Sequence, residues 1–296
     1  MQVADLHTVP EGAYNIRENG AAAGRKTTAN IDIVSKTDKP GIDIIVKPGT
    51  KRESIHIPVI ISESGLKDLV YNDFYIGEDA DVTIIAGCGI HNCGDQDSAH
   101  DGIHSFHVGK GARVRYVERH YGEEEGTGEN IMNPTTIIEI DEGGYLEMET
   151  TQIKGIDSTI RNTNAVLGKD ATLIVKEKIM THGRQHAETV FNVDLNGEGS
   201  STNVISRSVA KDVSTQTFLS KINGNAECYG HTECDAIIMD NASVRAIPEI
   251  TANDINASLI HEAAIGKIAG EQIIKLMTLG LTEQEAEEQI VNGFLK

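Results

Sequence analysis

The sequence has no tryptophan and only 4% aromatic residues in 296. Its interior must therefore be filled by Ile, Val, Leu and Ala. Proline is scarce at 6 while glycine reaches 29, which suits a chain of many turns. Only four cysteines occur, and no two are spaced Cys-x-x-Cys. That excludes a disulfide framework and argues against a permanent ferredoxin or structural zinc site. A reduced, cytoplasmic protein is the expectation. Basic residues are few as well: 26 Lys and Arg stand against 45 Asp and Glu, for a net charge of −19. Such a balance disfavours a nucleic-acid backbone or an anionic membrane as partner. No apolar run approaches the length of a membrane span. The opening "MQVADLHTVPEG" lacks the basic and apolar regions of a secretory signal. No Gly-rich phosphate loop is present, so ATP hydrolysis by this chain itself is not expected.

What the chain does have is a repeat. "IGEDADVTI" (76–84), "VGKGARVRY" (108–116), "IDEGGYLEM" (140–148) and "LGKDATLIV" (167–175) share one pattern. An apolar residue leads into a tight turn of Gly and Asp, then Ala or Gly, then a strand of period two. Weaker copies are "INGNAECYG" (222–230) and "MDNASVRA" (239–246). A spacing of roughly thirty residues without intervening amphipathic helices points to stacked coils, a β-solenoid, over a β-sandwich with Gly-rich turns. The phase of the first copy turns Val82, Ile84, Ala86 and Cys88 inward. Cys228 falls where other copies have Val or Leu and reads as a core residue. Cys234 keeps the same inward parity if its strand runs on past Gly230.

The segment "GCGIHNCGDQDSAHDGIHSFH" (87–107) gathers Cys88, His91, Cys93, His100, His104 and His107. It reads either as a sulfur-entry or accessory metal site, with His91, Cys93 and His104 as ligands, or as a polar loop between coils. From His261 the period becomes helical, with Ile265, Ile268, Ile273, Leu276 and Met277 as a stripe. Gly280 suits a left-handed C′ position. Thr282 and Glu285 make a capping box, and Ala286, Ile290, Val291 and Phe294 form the face of a second helix. The expected organisation is an N-terminal segment 1–64 packing on the core, a β-helix core 65–260 and a helical hairpin 261–296. On residue type alone, His261 and Glu262 read as an ordinary helix start.

"HEAAIGKIAGEQIIKLMTLGLTEQEAEEQIVNGF" (261–294) resembles the C-terminal signature of SufB and SufD, scaffold proteins of iron–sulfur cluster assembly. The resemblance covers about residues 65 to 296. It implies a right-handed parallel β-helix with helical ends. It implies a cluster-assembly role for Cys234, in "ECDAII" (233–238), together with His261 and Glu262. It implies sulfur acceptance for Cys88, in "AGCGIH" (86–91). The presence of Cys234 favours SufB over SufD. Two departures stand out: Ile260 replaces a frequent Glu, and Gly89, Ile90 and His91 replace Thr-Ala-Pro. Further implications are a transient cluster, [4Fe-4S] by resemblance, built from iron and from sulfur delivered by a donor protein. A SufC-type ABC ATPase would dock on the hairpin through Ile273, Leu276, Leu279, Leu281, Ile290 and Phe294. A homodimer through the β-helix edge would replace the SufB–SufD pair. The chain between Cys234 and His261 is about one coil, so Cys234, His261 and Glu262 are expected to converge. The alternatives are a SufD-like partner that holds no cluster, and a β-helix enzyme such as a polysaccharide lyase or an acyltransferase.

Overall fold

The computed structural model describes residues 10–123 and 126–296. Two ten-stranded sheets face each other, and from Lys51 the chain crosses between them strand by strand. The first sheet runs in the order Ala21–Lys26, Ala13–Glu18, Lys51–Ile61, Asp81–His91, Arg113–Glu123, Tyr145–Lys154, Thr172–Thr181, Ser201–Ala210, Tyr229–Ile238 and Ser258–Gly266. The second begins at Ser243–Ala252 and returns through Thr215–Gly224, His186–Leu195, Ser158–Leu167, the broken pair Asn130–Met132 and Thr135–Ile140, Ser98–Val108, Lys67–Ile76 and Gly41–Val46 to Ile31–Ser35. Each coil pairs in parallel with the next, giving a β-solenoid of about eight turns. Among the described residues antiparallel pairs occur only at the start, where Ala13–Glu18 meets Ala21–Lys26 and Ile31–Ser35 meets Gly41–Val46.

The repeat explains the turns. Its fourth residue is Asp79, Gly111, Gly143 or Asp170, with φ of 54, 64, 67 and 54°. This left-handed region is open to Gly and tolerated by Asp, which is why only those two types alternate there. The following Ala80, Ala112 and Ala171 are buried, and each strand then alternates inward and outward. Val82, Ile84, Ala86 and Cys88 all face the interior, as their parity requires. The aliphatic core is continuous from Ala13 to Cys234. Each Ile or Val buried in it contributes about 1.5–3 kcal/mol.

Two boundaries differ from expectation. Parallel pairing already includes Ala13–Glu18 and Gly41–Val46, so residues 10–64 form the first coils. Their inward Ile31, Ile33, Ile42, Ile44 and Ile55 belong to the common core. Residues 1–9 of that segment lie outside the described range. At the other end, strand Ser258–Gly266 continues through His261, and the first helix α1 opens at Gly270. The ladder from Tyr229–Ser258 to Ile237–Gly266 holds this segment extended despite its helical spacing. α1 (Gly270–Met277) and α2 (Glu283–Phe294) make the hairpin. Gly280 turns between them at φ 98°, and Thr282 and Glu285 form the capping box. The hairpin does not cap the last coil. Val291, Phe294 and Leu295 lie on the flank of the stack with Ile153, Met180, Val209, Ile237 and Met239.

Candidate functional site

Parallel stacking in constant register places inward side chains in rows along the solenoid. One row of the first sheet reads Ala86, Glu118, Thr150, Glu177, Ser206, Cys234 and Ala263. The row two residues further on begins Cys88, His120, Gln152 and Ile179. The row two residues before ends in Thr232 and His261. The middle of the solenoid is thus lined by polar groups that a purely aliphatic core would not contain.

These groups are joined by hydrogen bonds. His104 Nδ1 and the Tyr116 hydroxyl are 2.8 Å apart, and Tyr116 donates to Glu118 Oε1 at 2.8 Å. Arg161 Nη1 donates to Glu118 Oε2 at 2.7 Å, and its Nη2 lies 3.1 Å from His120 Nδ1. Arg161 Nε is 3.5 Å from Glu177, which accepts from Thr189 at 3.0 Å and Ser206 at 2.9 Å. Ser206 is the row neighbour of Cys234. Buried charge of this kind persists only when paired. Burial acts to raise the Glu118 carboxyl, but His120, Arg161 and His104 outweigh it and hold it well below the usual range. For Glu177 burial wins over Arg161, and its carboxyl is raised. Burial drives His104 down to about 4, so it is neutral at pH 7.

At the last coil the expected trio separates. Cys234 is 1% exposed and points inward, in register with Ala263. Burial pushes its thiol up to about 12, with Glu177 and Asp235 adding to the effect. His261 shares the inward parity, one row away, opposite Thr232. Its Nδ1 is buried without a hydrogen-bond partner among the described residues. Glu262 lies on the outer face, directly beside Glu233. There His231, Glu233 and Glu262 each offer a ligand atom, all within 4.8 Å of one another. His231 Nε2 is 3.5 Å from Glu262 Oε2. Two carboxylates opposite each other repel unless a proton or cation lies between them. Burial, with Asp235 adding to it, raises the Glu233 carboxyl. The terminal coil therefore carries an inner donor set, Cys234 and His261, and an outer one, His231, Glu233 and Glu262.

The cysteine- and histidine-rich segment does not converge on one site. Cys88 is 2% exposed among Val59, Ile61, Ile90, Met132 and Ile156, and burial raises its thiol well above the ordinary value. His100 faces Asp68 inside the solenoid at 3.1 Å, and His104 belongs to the Glu118 network. His107 is on the outside, stacked on Tyr75 and 2.9 Å from Glu139. His91 and Cys93 lie together at the end of their strand, 3.0 Å apart and away from the interior. Cys228 is a core residue, as its phase indicates.

Of the expected docking residues, Phe294 is used against the solenoid itself. Ile273, Leu276, Leu281 and Ile290 are half-buried, while Leu279 is 75% exposed. Ile274, not among those expected, is 62% exposed beside Met277 on α1. Sequence reading also missed Glu118, Arg161 and Glu177. The available signal was their parity, since each charged residue stands at an inward position of an alternating strand. Among the described residues no helix is long and apolar enough to cross a membrane.

Comparison with known proteins agrees with this architecture. Residues 70–294 match the family described as SUF system FeS cluster assembly, SufBD core domain. An iron–sulfur cluster assembly SufBD family protein of Methanocaldococcus jannaschii is 33% identical over 258 residues, covering 85% of this chain and 79% of its own. One from Archaeoglobus fulgidus is 32% identical over 263 residues, 88% of this chain and 69% of its own. The iron–sulfur cluster assembly protein SufB of Bacillus subtilis is 27% identical over 75% of this chain, which spans only 47% of that longer protein. The chain belongs to the SufBD family of iron–sulfur cluster assembly proteins.

Proposed function

We propose that this chain is a scaffold on which a transient iron–sulfur cluster, [4Fe-4S] by family resemblance, is assembled at the last coil of the solenoid. The observation that carries the reading is the meeting of two donor sets on one terminal strand pair, Cys234 and His261 inside and Glu262 outside. An inner thiolate and imidazole suit a cluster that must leave again, since a closed four-thiolate cage would retain it, and the outer carboxylates suit iron on its way to them. Cys234 is protonated at rest, so binding iron there releases a proton.

Strand Ser258–Gly266 covers Cys234 and is the free edge of its sheet. Its outer surface and last residues are exposed, and α1 follows shortly after it. A SufC-type ATPase docked on Ile274, Met277 and Leu279 would be placed to pull on this strand and uncover the thiol. The ATPase supplies the hydrolysis and the scaffold supplies ligands, so the scaffold itself is not an enzyme. The unpaired edge of the last coil also fits a second copy of the chain, giving a homodimer with the donor sets at its seam.

A second reading, a SufD-like partner that holds no cluster, draws support from one fact: Cys234 is 1% exposed. Anaerobic reconstitution with ferrous iron and sulfide separates the two. Sulfide-to-iron charge-transfer absorbance with matching iron content supports the scaffold, and its absence in the presence of the ATPase supports the partner.

A further inference from the structure

The residue best built to react with sulfur at the surface is Cys93, although the resemblance pointed to Cys88. Cys93 lies two residues beyond the end of strand Asp81–His91, where the chain leaves the sheet and its side chain reaches solvent. Its Sγ lies 3.0 Å from His91 Nε2. On the other side of the ring, His91 Nδ1 pairs with Glu123, which is the register partner of His91 on strand Arg113–Glu123. A carboxylate beside Nδ1 favours the positively charged ring and so helps Nε2 accept the thiol proton. The three side chains thus form a thiol–imidazole–carboxylate line in which base and orienting group come from adjacent coils.

The turn that holds Cys93 is fixed by its neighbour coil. Thr127 N and Gly128 N donate to Gly94 O at 2.9 and 3.1 Å. A Cβ on Gly126 would come within 2.5 Å of the Asn92 carbonyl oxygen, so only glycine allows that approach. An open cavity of about 220 Å³ lies alongside, lined by Asn92, Glu123, Thr127 and Asp157 among others. Cys88 has the opposite surroundings. It is enclosed in an aliphatic cluster, with Asp68 and Glu118 also acting against its thiolate.

We propose that Cys93, worked by His91 and Glu123, is the nucleophile through which this chain takes sulfane sulfur from a persulfide-bearing donor. The substrate class rests on the scaffold reading; the reactivity rests on the geometry. His91 Nε2 accepts the Cys93 proton, and the thiolate attacks the outer sulfur of the donor hydropersulfide. A sulfur–sulfur bond forms at Cys93 as the donor's sulfur–sulfur bond breaks. The electron pair leaves on the donor thiolate, which takes up the proton from His91. One thiol and one hydropersulfide go in, and one of each comes out, with no net oxidation.

The test uses the full chain, anaerobic and without iron or ATPase, mixed with glutathione persulfide. Intact mass and peptide mapping after alkylation report the gain and place of one sulfur atom. The expected result is a single added sulfur on the Cys93 peptide, unchanged in Cys88→Ala and Cys234→Ser and lost in Cys93→Ser. His91→Asn should slow the transfer about tenfold at neutral pH, with recovery at alkaline pH where hydroxide takes the thiol proton instead. Glu123→Gln should give a smaller loss of the same kind. Sulfur on Cys88 in place of Cys93, or a His91→Asn rate equal to the parent across the pH range, would overturn the proposal. Because no cluster is formed in this assay, labelled Cys93 in a chain that fails reconstitution would reject the scaffold reading alone. Normal cluster loading with an unlabelled Cys93 would reject this proposal alone.

Discussion

Cys234 and Glu262 stand on opposite faces of one sheet edge: Cys234 pairs with Ala263 inside, and Glu262 pairs with Glu233 outside. The two residues implied to act together therefore offer their ligands to different compartments of the same coil. The outer set should hold a divalent cation independently of the thiol. Anaerobic titration with ferrous iron should show binding that survives Cys234→Ser and weakens at least tenfold in Glu262→Gln. Equal loss in both variants would mean that the faces act as one site.

The interior charge network should make acid destabilising, and the sign follows from two groups. His104 is lowered to about 4 from 6.5 by burial, so its neutral form is the folded form. Its contribution is full above the ordinary histidine pKa and is lost as pH falls toward 4. Glu118 is depressed in the fold, so its contribution is also present above the unfolded carboxylate pKa and is lost as pH falls. Glu177 is raised and acts in the opposite direction, since its folded form favours the proton. The loss between pH 6.5 and 4 from His104 is on the order of 3 kcal/mol. Denaturant unfolding at stepped pH should show this slope, and His104→Gln should flatten it even if the variant is less stable throughout.

Arg161 is the shared cation of this network, bonded to Glu118 and close to Glu177. Arg161→Met leaves a carboxylate buried without its partner, and the expected cost is about 3–5 kcal/mol. Adding Glu118→Leu should recover part of that loss, because the pair rather than either charge is what the fold tolerates. A single-variant cost below about 1 kcal/mol by denaturant unfolding would show that water reaches the site.

The hairpin carries both exposed and packed apolar residues. Ile274 and Leu279 are exposed on α1 and its turn, whereas Phe294 is held against the flank of the solenoid. Ile274→Asp with Leu279→Asp should abolish capture of a SufC-type ATPase while leaving the thermal melt within a few degrees. Phe294→Ala should instead lower stability by about 3 kcal/mol or less, its burial being partial. Pull-down beside calorimetry checks both, and retained binding in the double variant would place the docking surface elsewhere.

Much of the fold was legible because it is periodic. The Asp or Gly turn, the buried Ala after it and the inward parity of Val82 to Cys88 all follow from one repeat. The capping box and Gly280 were legible because they are local. The pairing of distant coils was not. In-register side chains are 32 residues apart at Lys110 and Glu142, 29 at Thr172 and Ser201, and 28 at Asn203 and His231. A coil that varies by one residue reverses the face of every side chain beyond it, so the face of Glu262 relative to Cys234 could not be counted from the chain. For the same reason the strand through His261 read as helix: its helical spacing is local, and the ladder that overrides it is not.

The most direct test of assembly at the terminal coil is the iron and acid-labile sulfide content of Cys234→Ser after anaerobic reconstitution, measured beside its thermal melt. A serine hydroxyl at that position can hydrogen-bond within the Ser206 and Glu177 row, so the fold should survive with a cost of about 1 kcal/mol. Iron and sulfide should both fall to background in a variant that still melts cooperatively. Full loading of Cys234→Ser would contradict the assignment and place the cluster away from the last coil.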